Sequence, residues 1–221
     1  MAQGQHHPQR AVRVKPLPRL LAFTDDRVAS LDDLGERAAA IAAVGSAVAL
    51  VARLPGGSTD QLASLALRFV ALARPPMASV FVMDRIDVAM ATGADGVVVD
   101  SACVLQIPMP GSARTYGSYA LVHSVEEAQA AVDDGTSGLV LGTIWPTASH
   151  PGREPAGPGL IDRVARCGVP VWAIGGVTAE RAREAREAGA WGVASISAVW
   201  DAIHPNQAAL ELLDAWRSTE E

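Results

Sequence analysis

The sequence predicts a single (β/α)₈ barrel, an α/β TIM-barrel fold indicated by three observations. Eight short apolar runs alternate with segments of helical periodicity, the runs are apolar almost without interruption, and a paired glycine turn comes late in the chain. Continuously apolar strands fit a parallel sheet covered on both faces, because a strand with one wet face alternates apolar and polar residues. A doubly wound open sheet usually has fewer strands and carries its glycine fingerprint after the first one. Here the first run ends in Thr24-Asp25-Asp26, and the late glycines suit a barrel that binds phosphate on the loops after strands seven and eight.

Taken in order, the strands are expected at 20–23 (LLAF), 48–53 (VALVAR), 79–83 (SVFVM), 96–100 (GVVVD), 119–122 (YALV), 138–142 (GLVLG), 169–175 (VPVWAIG) and 191–197 (WGVASIS). Helical spacing places helices over 31–44, 59–74, 86–92, 125–134, 159–166 and 179–188, and a last one over 206–217 closes the chain. After the fourth strand Pro108, Pro110 and Gly111 leave room for one turn at most, so that helix is expected to be short or missing. Gly93-Ala94-Asp95-Gly96 and Gly189-Ala190-Trp191-Gly192 repeat one device, a small-residue helix end before the next strand, and carry no chemistry. Residues 1–18 mix Gln, His, Pro and Arg without apolar periodicity and are expected to form a disordered arm. The barrel domain then spans 19–221.

Composition narrows the function classes. The chain of 221 residues suits one large domain, and no apolar run is long enough to cross a bilayer. The first residues lack the apolar core of a secretory signal, so a cytoplasmic protein is the default expectation. A net charge of -6 argues against nucleic-acid binding, which needs clustered Lys and Arg. Cys103 and Cys167 have neither zinc nor redox spacing and are expected to be reduced and structural. A homo-oligomer is left open.

Chemistry is expected where strands end. Ala173-Ile174-Gly175-Gly176-Val177-Thr178 leaves a strand, turns on two glycines and enters a helix, so its backbone amides can approach an anion. Ser195-Ile196-Ser197-Ala198, after the last strand, offers a second small-residue turn beside it. The bland alternative is a pair of ordinary tight turns. The connection 143–158 is long and concentrates Thr147, Ser149, His150 and Arg153 at the same end, as binding loops do, although prolines also brace plain surface loops. His123 follows the fifth strand and can move a proton near neutral pH, while Ser124 and Glu127 form a capping box whatever the function. Arg53 and Asp84 complete a polar ring, or else serve as a solvated charge and a helix cap. Trp145, Trp172, Trp191 and Trp200 read as packing.

Together, Arg53, the stretch Phe81-Val82-Met83-Asp84-Arg85-Ile86-Asp87, Gly93-Ala94-Asp95-Gly96-Val97, Val122-His123-Ser124-Val125-Glu126-Glu127, Pro146-Thr147-Ala148-Ser149-His150-Pro151-Gly152 and Ala173-Ile174-Gly175-Gly176-Val177 resemble the thiamine-phosphate synthase / TenI family from about Leu20 to Val199. The resemblance implies the barrel fold, phosphate binding at Gly175, Gly176, Ile196 and Ser197, and one of two activities. A synthase joins a pyrimidine pyrophosphate to a thiazole phosphate with magnesium. A TenI-like isomerase tautomerises a thiazole carboxylate phosphate with a histidine that matches His123.

The synthase pattern Gln-x-Arg-Glu-Lys reads Val51-Ala52-Arg53-Leu54-Pro55 here, Asn-Asp reads Met83-Asp84, and the acidic magnesium ligand falls near Ser101, Ala102 and Cys103. The loop lysine becomes His150. Losing a lysine and a carboxylate weakens an electrostatically driven ionisation. The resemblance therefore leads to an isomerase as the expected activity, metal-independent, with His123 as acid/base and a small phosphorylated thiazole as ligand. Arg53, Asp84, Thr147, Ser149 and His150 are the expected substrate contacts. The alternatives are a synthase, with magnesium held through Asp84, and a degenerate barrel that only binds a thiazole or thiamine phosphate.

Overall fold

A computed structural model of the protein describes residues 16–73, 78–100, 117–147, 152 and 154–216. Eight parallel strands close in chain order: β1 (Leu20–Phe23), β2 (Val48–Ala52), β3 (Ser79–Met83), β4 (Gly96–Asp100), β5 (Gly117–Val122), β6 (Gly138–Gly142), β7 (Val171–Ile174) and β8 (Gly192–Ser195). β1 pairs Leu20 with Val48 on one edge and with Val193 on the other, so the sheet has no open edge.

Successive side chains on each strand point to opposite faces, and both faces are dry. Leu21, Phe23, Val51, Phe81, Met83 and Val140 fill the barrel interior, while Leu20, Ala22, Val48 and Leu50 pack outward under the helices. This double burial is why the strands read as unbroken apolar runs.

The helices are α1 (Asp26–Ala29), α2 (Leu34–Ala42), α3 (Thr59–Leu72), α4 (Ile86–Thr92), α5 (Val125–Asp133), α6 (Gly159–Ala165), α7 (Ala179–Glu187), α8 (Ser197–Trp200) and α9 (Pro205–Leu213). Two differ from expectation. The helix expected over 31–44 is α2, shorter at both ends, and α1 stands before it as an unexpected separate turn, which Asp25 caps by accepting the Val28 N–H at 2.8 Å. The last strand ends at Ser195, two residues early, where the chain turns at Ile196 into α8. The segment expected to hold a short or missing helix after β4 lies outside the described residues.

The N-terminal end of the barrel is closed by a plug. Leu17 packs against the interior cluster, and the Pro18 carbonyl accepts both the Trp172 indole N–H at 3.0 Å and the Trp191 indole N–H at 3.1 Å. The Arg19 guanidinium lies 3.5 Å over the Trp191 ring. Leu17 and Pro18, expected at the end of the arm, are thus docked on the barrel. No helix among the described residues is long and apolar enough to cross a membrane.

Candidate active site

All strand C-termini meet at the opposite end, where two cavities adjoin. The first, of about 260 Å³, is walled by Arg53, His123, Thr147, Gly175, Gly176, Ile196 and Ser197, with Phe23 and Met83 as its apolar floor. The second, of about 470 Å³, is walled by Ser58, Thr59, Asp84, Arg85 and Asp100. Arg53, Pro55, Met83, Leu121 and His123 belong to both. Ser149 and His150 lie outside the described residues.

Arg53 is fixed from below. The buried Thr24 hydroxyl accepts the Arg53 N–H at 2.9 Å and donates to the Arg53 carbonyl at 2.8 Å, locking the backbone where the chain leaves β2. Asp26, at the start of α1, accepts the Gly56 N–H at 2.9 Å and holds the following loop inward. Arg53 is half-buried, and the reading of it as a fully solvated charge is set aside.

Asp84 does not cap α4. Arg85 occupies the cap position, and the Asp84 carboxylate instead accepts the Asp100 N–H at 2.9 Å across the strand ends. The Asp84 backbone is left-handed, with φ 59°, a conformation that Asp tolerates better than most residues. Burial, then the nearby Asp100 charge, push the Asp84 carboxyl up against the opposing pull of the Asp100 N–H and of Arg53. Arg85 is held by both oxygens of Asp87, at 2.8 and 2.6 Å, and donates to Thr59 at 2.5 Å.

The two glycines after β7 are demanded by packing as well as by turn geometry. Gly175 has φ 103°, and a Cβ there would meet the Thr143 side chain at 2.5 Å. Gly176 has φ 63°, and its Cβ would run into the Pro146 carbonyl. The turn therefore lies tight against the connection after β6, which is how Thr143 and Thr147 come to face the same cavity.

His123 stands just after β5, with its side chain 27 % exposed. Its backbone N–H donates to Glu127 Oε2 at 2.8 Å, and its Nδ1 lies 3.3 Å from the same oxygen. Ser124 accepts the Glu127 N–H at 3.1 Å, so only half of the expected capping box forms: Glu127 reaches back one residue further, to His123. The capping signal and the imidazole are one arrangement.

The sequence pattern of the family described as thiamine monophosphate synthase matches residues 20–199, from β1 into α8. The chain belongs to this family. Across 206 residues, 90% of this chain and 97% of the relative, it is 35% identical to a thiamine-phosphate synthase of Salinispora arenicola. A thiamine-phosphate synthase of Chlorobium luteolum is 32% identical over 208 residues, 91% of this chain and 94% of the relative. Among solved structures, thiamine phosphate pyrophosphorylase from Pyrococcus furiosus matches with a TM-score of 0.74 and 27% identity, over 92% of this chain and 98% of that one.

These relatives overturn the isomerase expectation. The departures at Val51, Leu54, Pro55 and Met83 do not separate this member of the thiamine monophosphate synthase family from relatives named as synthases. Taken one by one, the motif positions lack a carboxylate and a lysine, whereas the wall of the second cavity includes the Asp100 carboxylate and the Arg85 guanidinium. Asp100 ends β4 beside Asp84 at the end of β3, a neighbourhood that no spacing within either segment reveals. Thr24 and Asp26 were visible only as a polar end to the first strand, and Glu127 only as a helix cap.

Proposed function

We propose that the protein is a thiamine-phosphate synthase, a transferase that joins a pyrimidine pyrophosphate to a thiazole phosphate and releases pyrophosphate. The observation that carries this reading is the pair of cavities sharing the wall of Arg53, Pro55, Met83, Leu121 and His123. An isomerase needs one ligand cavity. A transfer between two anionic substrates needs them side by side, so that the step becomes effectively intramolecular.

In the first cavity, backbone amides at Gly175, Gly176, Ile196 and Ser197 hold the thiazole phosphate, with Thr147 beside it. In the second, Arg85, Ser58 and Thr59 receive the pyrophosphate. Arg53 stands between them and balances charge as the bond to pyrophosphate breaks and the bond from the thiazole forms. His123, held by Glu127, presents its ring at the junction.

Asp84 and Asp100 offer a pair of hard oxygen donors, and no group of three or more metal-binding side chains gathers among the described residues. That donor set fits magnesium, which commonly takes one or two carboxylates and fills its remaining positions with phosphate oxygens and water. Bound there, magnesium would neutralise charge on the departing pyrophosphate. Asp84, whose raised carboxyl marks an ionised form lacking full compensation, gains most from such a cation.

The test is turnover of pyrimidine pyrophosphate and thiazole phosphate with magnesium, followed by thiamine phosphate and pyrophosphate release. Equal amounts of both products are expected. Failure to form thiamine phosphate while both substrates bind would refute the assignment.

A further inference from the structure

One basic residue outside the cavities touches the phosphate turn from behind. Arg181, in the first turn of α7, donates through a guanidinium N–H to the Gly176 carbonyl at 2.5 Å. The Gly176–Val177 peptide is trans, so its carbonyl and its N–H point in opposite directions. With the carbonyl turned to Arg181, the Val177 N–H is turned the other way, and Val177 lines the first cavity. We propose that Arg181 is a positioning residue that fixes this peptide with its N–H toward the bound phosphate.

Two further contacts hold the arginine in place. Thr178 caps α7 by accepting the Arg181 N–H at 3.2 Å, which sets the first turn beneath the glycines. The guanidinium lies 5.9 Å from the centre of the Trp145 ring, and the Trp145 indole N–H donates to Glu184 one turn further along α7 at 3.0 Å. Gly176 completes the fit, because a Cβ there would meet the same guanidinium nitrogen at 3.1 Å. α7 thereby clamps the connection after β6 and the turn after β7 together. The positive charge also polarises the peptide it holds, which strengthens the N–H on its far side as a donor.

This inference rests on the proposed phosphate role of the Gly175–Gly176 turn, and its test separates the two. Inorganic phosphate is titrated into the ¹⁵N-labelled protein and the Val177 and Gly176 amide resonances are followed. In the wild type both are expected to shift. In Arg181→Ala, phosphate affinity is expected to fall about tenfold, as for loss of a hydrogen bond to a charged group, with a much smaller Val177 shift. Arg181→Lys, which keeps the charge and one donor, is expected to recover part of both. In turnover, Arg181→Ala raises KM for thiazole phosphate and leaves KM for the pyrimidine pyrophosphate and kcat nearly unchanged.

A folded Arg181→Ala protein with wild-type phosphate affinity and an unchanged Val177 shift would overturn the positioning role. So would a loss in Arg181→Ala that extends equally to both substrates, the pattern of a merely structural residue. Should the wild type show no shift at either amide, the phosphate turn itself fails and takes the proposal with it. Wild-type phosphate binding at these amides without thiamine phosphate formation would count against the synthase reading alone, and the response of the two variants to phosphate would still decide the role of Arg181.

Discussion

The Asp84 carboxylate accepts the backbone N–H of Asp100 at 2.9 Å, which brings two acidic residues together where β3 and β4 end. Burial and the Asp100 charge raise the Asp84 carboxyl, although the residue keeps a solvent-exposed edge and water screens part of the effect. A carboxyl whose folded pKa lies above its unfolded value binds its proton more tightly in the native state. Native stability from this group is therefore full below the unfolded pKa and is lost as pH rises through the folded one. Asp84→Asn keeps the acceptor and tolerates the left-handed backbone. The variant is expected to melt higher than the wild type at neutral pH in metal-free buffer, with the difference gone at strongly acid pH. It is also expected to lose the stabilisation that magnesium and pyrophosphate give the wild type. Melting curves across pH, with and without both, measure this.

Arg53 borders both cavities and is held through its backbone by Thr24. Its replacement by alanine removes the one guanidinium that borders both substrate positions among the described residues. Arg53→Ala is expected to lower kcat/KM for thiamine phosphate formation about a hundredfold, comparable to removing one donor from a preorganised anion site. Steady-state kinetics with each substrate varied in turn checks it, and both KM values should respond.

At Gly176 the backbone has φ 63° and the Pro146 carbonyl stands where a Cβ would go. Gly176→Ala is expected to destabilise the fold by about 1–2 kcal/mol from backbone strain alone, with the clash adding to it. Urea unfolding of the variant beside Gly175→Ala gives the comparison. Weakened phosphate binding should accompany the stability loss, because the same turn would have to move.

Tyr119 stacks on Phe81 at 4.9 Å and meets the edge of Trp172 at 5.4 Å inside the barrel. Burial, with Asp95 as a lesser cause, pushes its phenol up to about 12. The folded pKa exceeds the ordinary value of 10.0, so stability is expected to fall as pH climbs from 10.0 to about 12. Tyr119→Phe should flatten that part of the profile, as read by melting temperature against pH.

The strands were legible because a closed barrel buries both of their faces, so apolarity alone marks them. Their ends were not: apolarity runs on through Gly175 and Ile196, whereas the ladder stops at Ile174 and Ser195. α1 is not legible in the sequence because four residues carry no helical period, and its one local signal is the Asp25 cap. The rim residues His123, Arg53, Gly175 and Ser197 could be named from sequence, since the topology sends every strand C-terminus to one mouth. The pairing of Asp84 with Asp100 and the contact of Arg181 with Gly176 could not, because each joins groups that only the fold brings together. The isomerase expectation rests on motif residues missing from single segments, and such segments do not show which side chains share a wall in the closed barrel.

The proposed transfer requires two anionic ligands to sit in the two adjoining cavities at once. Calorimetric titration of thiazole phosphate into the protein, alone and then saturated with magnesium and inorganic pyrophosphate, tests it most directly. Thiazole phosphate is expected to bind with equal or greater affinity in the saturated protein, giving a ternary complex. Mutually exclusive binding, with pyrophosphate displacing the thiazole phosphate, would contradict it.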